Sequence, residues 1–283
     1  MKKTNKNFIR KPLKYLIFSA WMLVNLPVLT AATPADSLTF KWLIGEELTY
    51  KVKWAFIRLG TLKLQVIDTT RIDSQRVYHT RLLIDSNPLL FFVNMHSVFE
   101  SYIDENFYPH LFVADETIDG VTYKTYYRFN HPERLVDVRM TDVEDTTRII
   151  EKQIPMEETF QDGMSLIFFT RGNVRKGGTY NLTAFYEAKI GKLLLWVREK
   201  KSRIKIEAFN QLVDAFEVDG KANFKAIAGF QGKFRGWFAT DRYAPPLYAL
   251  LKVFIGNVSV ELESWEKWPA PFISDLKNSS TAN

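Results

Sequence analysis

Few residues in this chain stand at spacings that do chemistry. His79, His96, His110 and His131 are its four histidines, and no two are four positions apart, the spacing of two metal ligands on one helical turn. There is no cysteine, which excludes disulfides, thiol chemistry and zinc–thiolate sites. No metal or cofactor is expected. A G-x-S-x-G nucleophile elbow is absent, and Arg175–Tyr180 (RKGGTY) reads as a turn entering a strand rather than a phosphate loop. Glu144-Asp145 and Glu157-Glu158 fall in a charged stretch that reads as solvated loop, and carboxylates paired across a cleft would leave no local mark. The stretch from Gly236 to Ser264 sets Asp241, Arg242 and Tyr243 beside Pro245-Pro246, between two apolar runs. Proline before a strand fixes the chain, so Asp241, Arg242, Pro245 and Pro246 are expected to form a structural turn, with Asp241 and Arg242 pairing across it. No residue is assigned a catalytic role, and the chain reads as a non-enzyme.

The aromatic residues offer a different chemistry. Tyr102, Phe107, Phe112, Tyr123, Tyr127, Phe129, Phe185, Phe230, Phe234 and Phe238 fall on predicted strands or their edges. They either fill a core or line an apolar cavity inside a curved sheet. Trp54, Phe92, Phe168, Trp196 and Trp237 are the candidate ligand-contacting residues.

The elements that must position them are mostly strands. Glu47–Trp54 (ELTYKVKW) sets Leu48, Tyr50, Val52 and Trp54 on one face against Glu47, Thr49, Lys51 and Lys53 on the other, the period of a half-buried strand. The same alternation recurs in TLKLQVID after Gly60 and in Val121–Phe129, the latter preceded by the hairpin signal Asp119-Gly120. Thr141–Glu158 is expected to be a loop or hairpin. Two short helices are expected: Asn87–Asn94, capped by Asn87 with Pro88 at its first position, and Gln161–Gly172, capped by Asp162 and ended by Gly172. Leu89, Leu90, Phe91 and Phe92 of the first, and Ile167, Phe168 and Phe169 of the second, make these helices lids over an opening. The fold class is mainly β: one large curved antiparallel sheet, an open or closed barrel, with one or two short helices.

The first residues, MKKTNKNFIRKPLK, hold six basic residues and no acid, followed by an apolar run from Tyr15 to Leu29 and then Thr30-Ala31-Ala32. This is the layout of a cleavable secretory signal, and the run is short of the roughly 20 residues a spanning helix needs. Residues 1–32 are therefore read as a signal peptide, 33–268 as one β-rich exported domain, and 269–283 as a flexible tail. The whole-chain excess of +6, from 38 Lys+Arg against 32 Asp+Glu, is accounted for by the leader. That leaves no basic footprint for nucleic acid.

Four stretches together resemble an exported bacterial family, domain of unknown function 3108. GEELTYKVKW with its glycine-led second strand, SVFESYIDENFYPHLF, QDGMSLIFFTRG, and the closing GWFATDRYAPPLYALLKVFIGNVSVEL are similar to its G-E-x-L-x-Y-x-V-x-W, S-x-I-D…P, D-x-x-S…R and W-x-x-x-D-x-x-x-x-P motifs, over Gly45–Trp265. One departure is that Pro246 is followed by Leu247 and Tyr248 where the family has a basic residue. The resemblance implies a periplasmic, β-rich envelope protein with no assigned catalytic residues. The function expected is binding of a lipid or other hydrophobic ligand or an envelope component. The alternatives are a partner-binding envelope module with a filled core and a hydrolase assembled from distant residues.

Overall fold

In the computed structural model the alternating segments join one sixteen-stranded sheet. It describes residues 39–90, 95–118, 121–224, 230–253 and 256–271. The leader and most of the tail lie outside these, as do Asp119-Gly120 and Phe91–Asn94. The described residues fall in one unit that begins at Leu38.

The strands are β1 (Glu47–Trp54), β2 (Ile57–Ile72), β3 (Gln75–Ser86), β4 (His96–Ile103), β5 (Pro109–Ile118), β6 (Val121–Asn130), β7 (Leu135–Asp142), β8 (Ile149–Pro155), β9 (Phe160–Gln161), β10 (Gly178–Tyr186), β11 (Lys189–Val197), β12 (Ser202–Ile206), β13 (Gln211–Ala222), β14 (Gly232–Ala239), β15 (Pro246–Lys252) and β16 (Asn257–Glu266). One helix, α1 (Gly163–Asn173), and a 3-10 turn (Glu207–Phe209) complete them. The spatial order runs β8-β7-β6-β5-β4-β3-β2-β1-β16-β15-β14-β13-β11-β10-β9, with β12 on β13 beyond the end of β11. Successive strands pair antiparallel from β1 to β8, in β10–β11 and from β12 to β16, and the join between first and last strands, β1 with β16, sits mid-sheet. All ladders are antiparallel except β9 with β10. The sheet curls without closing, since β8 and β9 end the pairing order. Its far parts still meet: Lys152 Nζ on β8 reaches Ala188 O at 3.4 Å, and the Ala188 amide donates to Tyr127 Oη at 3.1 Å.

The β1 pattern is observed at Leu48 and Tyr50, buried inside, but not at its end, where the pairing with β2 shifts between Val52 and Lys53 and Trp54 is exposed. Lys51 on the opposite face is also buried, because the Glu207–Phe209 turn lies over it and supplies Glu207 as its ion partner beside Glu261. The stretch from Thr141 resolves into a β7–β8 hairpin.

Two expectations about helices are corrected. Asn87–Leu90 is a turn, in which Asn87 Oδ1 accepts the Leu89 amide at 3.1 Å and Asn87 O accepts that of Leu90 at 2.9 Å. The asparagine holds a local turn rather than starting a helix, a competition its short side chain often wins. The second helix is real and Asp162 caps it, but it runs from Gly163 to Asn173, with Gln161 in β9. Gly172 is inside it and does not end it. A Cβ there would lie 2.1 Å from the Phe107 ring, so this glycine serves close packing.

Candidate functional site

The helix α1 lies inside the curled sheet and is held at both ends by buried polar contacts. At its start, Asp162 Oδ1 accepts the amides of Met164 (2.8 Å) and Ser165 (2.6 Å), Ser165 Oγ accepts the Asp162 amide, and Asp162 Oδ2 accepts Ser101 Oγ of β4 at 2.5 Å. This reciprocal cap satisfies the orphan amides of the first turn. Burial pushes the Asp162 carboxyl up, and its donors pull it back. At the other end, Arg171 donates to both carboxylate oxygens of Glu46 (2.7 and 2.8 Å) and to Tyr243 O.

Between these clamps the helix divides the interior. Met164 and Phe168 face the main core, where Trp42 stacks between Tyr78 (4.1 Å) and Phe168 (4.6 Å). Leu166 and Phe169 pack on a second apolar cluster built from β11, β13 and β14. The two clusters do not merge. A hollow of about 540 Å3 opens between them, with Leu64 and Leu82 of the first on one side and Leu193, Leu195 and Phe238 of the second on the other. Val260 of β16 and Leu251 of β15 line it between these sides, and α1 contributes Gly163, Leu166, Ile167 and Thr170.

The hollow exists because its middle rows are small. Gly236, Ala249 and Val260 face one another in a cross-strand row on β14, β15 and β16. Nearby rings lie flat against the sheet rather than across the space: a Cβ on Gly220 would meet the Phe234 ring at 2.1 Å, and one on Gly191 the Phe224 ring at 2.4 Å. Two glycines thus let two phenylalanines take the place of side chains on the sheet surface.

The mouth is set by strand direction. The β1–β2 turn, the end of β3, the end of β13 with the start of β14, and the end of β15 with the start of β16 all lie there, supplying Leu59, Ser86, Phe224, Phe230 and Val253 to the lining. The opposite end is filled by the Arg171–Glu46 pair, Trp42 and the turn before β15. In that turn Asp241 Oδ1 accepts the amides of Tyr243 (2.7 Å) and Ala244 (3.2 Å), and Oδ2 accepts Trp268 Nε1 (3.1 Å). Arg242 O accepts the Lys41 amide at 2.9 Å, Pro245 O accepts that of Ala239, and Pro246 opens β15.

The residues singled out from the sequence are not brought together. Trp54 is at the mouth, 37% exposed and outside the hollow's lining. Phe168 is fully buried against Trp42 on the other side of the helix. Trp196 is 40% exposed on β11, between inward-facing Leu195 and Val197. Trp237 donates from Nε1 to Ser202 Oγ of β12 at 3.0 Å, away from the interior. Phe92 lies outside the described residues. Ring size directed the choice to tryptophan, whereas the lining comes from aliphatic residues and from Phe224, Phe230, Phe234 and Phe238. The available signal was Gly236 between Phe234 and Phe238: a small residue on an inward row marks space.

Nothing at the hollow assembles a nucleophile with its base. Asp85 and Ser86 are consecutive on β3, so the Asp85–His96 contact (2.5 Å) and the Ser86 hydroxyl fall on opposite faces, and Ser86 Oγ accepts the Met95 amide. The His110 Nε2–Asp104 Oδ2 contact (3.3 Å) is at the closed end, where Asp104 Oδ1 holds the amides of Asn106 and Tyr108. No group of metal-ligating side chains is found among the described residues. One buried acid is unusual: neither carboxyl oxygen of Glu116 has a hydrogen bond of ordinary geometry, although the Tyr186 and Thr125 hydroxyls lie beside it.

Comparison with known families settles the membership. The model of the family described as "Protein of unknown function (DUF3108)" matches residues 49–263. The chain belongs to this family. No match is found among curated proteins. Among solved structures, a β-barrel-like protein of domain of unknown function DUF1849 from Brucella abortus superposes with a TM-score of 0.51 at 11% identity, covering 79% of this chain and 98% of that one. That likeness is one of fold. Looser overlaps, at a TM-score of 0.34 and 9% identity, are with a candidate lipoprotein from Parabacteroides distasonis (80% and 97% covered) and a candidate exported protein with a YmcC-like fold from Bacteroides fragilis (81% and 99%). No described helix is long and apolar enough to cross a membrane.

Proposed function

We propose that this is an exported periplasmic protein that binds an apolar ligand, the acyl chain of a lipid or a molecule like it, in the hollow beside α1, without transforming it. The observation that carries this reading is the hollow itself. At about 540 Å3 it lies within the range of small-molecule sites, roughly 300–1,000 Å3, in an interior that is otherwise two packed clusters. A module with a filled core would hold ordinary interior density there. A hydrolase would need a positioned nucleophile, and the serine in the lining instead holds a backbone amide.

The test is direct. The chain from Leu38 onward is purified without detergent, and solvent-extracted material is examined by mass spectrometry. The same protein is titrated with 11-(dansylamino)undecanoic acid. Recovery of about one apolar molecule per chain, or saturable uptake of the dansyl probe displaced by a fatty acid, is expected. Protein that is recovered empty and leaves the probe in water would overturn the reading.

A further inference from the structure

The mouth of the hollow carries a surface that the ligand reading does not use. On the outer face of the sheet, Lys221 of β13 is the register partner of Lys233 of β14. The next row inward pairs Phe234 with Leu251, which places Lys252 of β15 beside Lys233 in turn. Lys252 itself pairs with Asn257 at the start of β16. Three ammonium groups thus line up across neighbouring strands at one end of the barrel. All three residues are exposed, and the acid nearest them in the register, Asp219, is paired with Arg198 and Arg235. Like charges facing each other across a sheet destabilise it, so the row is unfavourable until an anionic surface meets it.

Apolar tips stand at the same mouth. Phe56, in the β1–β2 turn, is 91% exposed, and Leu89, in the β3–β4 connection, is 85% exposed. Asn87 ties the two together: its amide donates to Leu59 O at 2.7 Å and its Nδ2 to Arg58 O at 3.0 Å. Trp54, register partner of Val258, continues the rim toward β15. Ala55 takes a left-handed φ of 51° to make the turn that projects Phe56.

We propose that this mouth docks on an anionic lipid surface, Phe56 and Leu89 entering the interfacial layer while Lys221, Lys233 and Lys252 meet headgroup phosphates. Exposed apolar tips beside cations are the two components of interfacial membrane binding. An acidic protein surface would satisfy the lysines but would leave the projecting tips without an apolar medium. The idea rests on the groove reading in one respect: it gives the direction from which an acyl chain enters, since the hollow opens at the surface that would face the bilayer.

The experiment is vesicle co-sedimentation of the chain from Leu38 onward. Vesicles of equal parts phosphatidylglycerol and phosphatidylcholine are compared with phosphatidylcholine alone. Binding to the anionic vesicles only, weakened by salt, is expected. Substituting Lys221→Gln, Lys233→Gln and Lys252→Gln together should weaken it roughly a hundredfold, at about fivefold per lysine near a charged surface. Phe56→Ser with Leu89→Ser should also weaken it, and both sites are exposed enough to leave the fold intact. No sedimentation would overturn the proposal in favour of a protein partner; equal binding to both vesicles, or binding unchanged in the lysine variant, would overturn the headgroup contact. Dansyl-probe uptake in vesicle-free solution reads the groove separately. Retained uptake with lost sedimentation removes the docking idea alone; lost uptake with retained sedimentation removes the ligand reading alone.

Discussion

Arg171 and Glu46 form a bidentate ion pair at 2.7 and 2.8 Å with both side chains only 1% exposed, joining the last turn of α1 to the residue before β1. Arg171 also donates to Tyr243 O and lies 5.1 Å from the Phe168 ring centroid and 5.5 Å from that of Phe40. One side chain therefore connects the helix, the strand that joins the two halves of the sheet, and the turn before β15.

Removing one partner leaves a buried, uncompensated charge. Arg171→Met is expected to cost about 3–5 kcal/mol, read as a lower urea midpoint. The double variant Arg171→Met with Glu46→Leu should recover a large part of that loss. If the single variant unfolded at the wild-type midpoint, the pair would not be holding the helix.

The groove reading makes a prediction at Ala249, which lies in the small-residue row with Gly236 and Val260. Ala249→Trp projects an indole into the hollow, replacing empty space rather than packed neighbours. Dansyl-probe affinity should drop at least about tenfold, the cost of losing one favourable side chain's worth of contact. The thermal midpoint should fall by no more than a few degrees, corresponding to about 1 kcal/mol, the low end of overpacking costs. Unchanged affinity in a folded variant would put the ligand elsewhere.

Much of the fold was legible, and the reason is periodicity. Strands such as Glu47–Trp54 write their inward face every second residue, and the observed burial of Leu48 and Tyr50 follows that alternation. Asp162 announced its helix because a capping carboxylate followed three residues later by a serine hydroxyl is a local arrangement. An apolar cavity was a stated alternative, but its place and lining were not legible, because they depend on small residues of three successive strands facing one another. Gly236 and Ala249 adjoin only through the register of β14 on β15. Gly172 misled for a similar reason: locally it resembles a helix end, and only the approach of Phe107 shows its use.

Glu116 gives the pH prediction. Burial is the main cause that raises its carboxyl above the usual range; the Tyr186 and Thr125 hydroxyls oppose it and Glu187 adds to it. An acid whose folded value is raised binds its proton more tightly in the native state. Its destabilising effect is absent below about pH 4, the unfolded value, and grows as pH rises through the folded one. Glu116→Gln should therefore leave the thermal midpoint nearly unchanged near pH 4 and raise it at pH 8, by the equivalent of about 1–3 kcal/mol for a buried, poorly hydrogen-bonded group. A midpoint shift that was the same at both pH values would show that burial does not raise this carboxyl.

Asp241 separates a structural role from a functional one. Its carboxylate accepts two amides of its own turn and the indole N–H of Trp268, whose ring packs with Phe209 and Trp265. The turn also needs Ala244 at a φ of 42°, a left-handed conformation that an Asx-type hydrogen bond helps to hold. Asp241→Ala removes the acceptor of three N–H donors, and a loss of about 2 kcal/mol is expected, lowering the thermal midpoint by roughly 4–8 °C. Asp241→Asn keeps one acceptor oxygen and should lose about half as much. Because the turn is at the closed end of the barrel, dansyl-probe affinity well below the midpoint should be the same in both variants as in the parent. Lost affinity at an unchanged midpoint would mean instead that the carboxylate acts on the ligand.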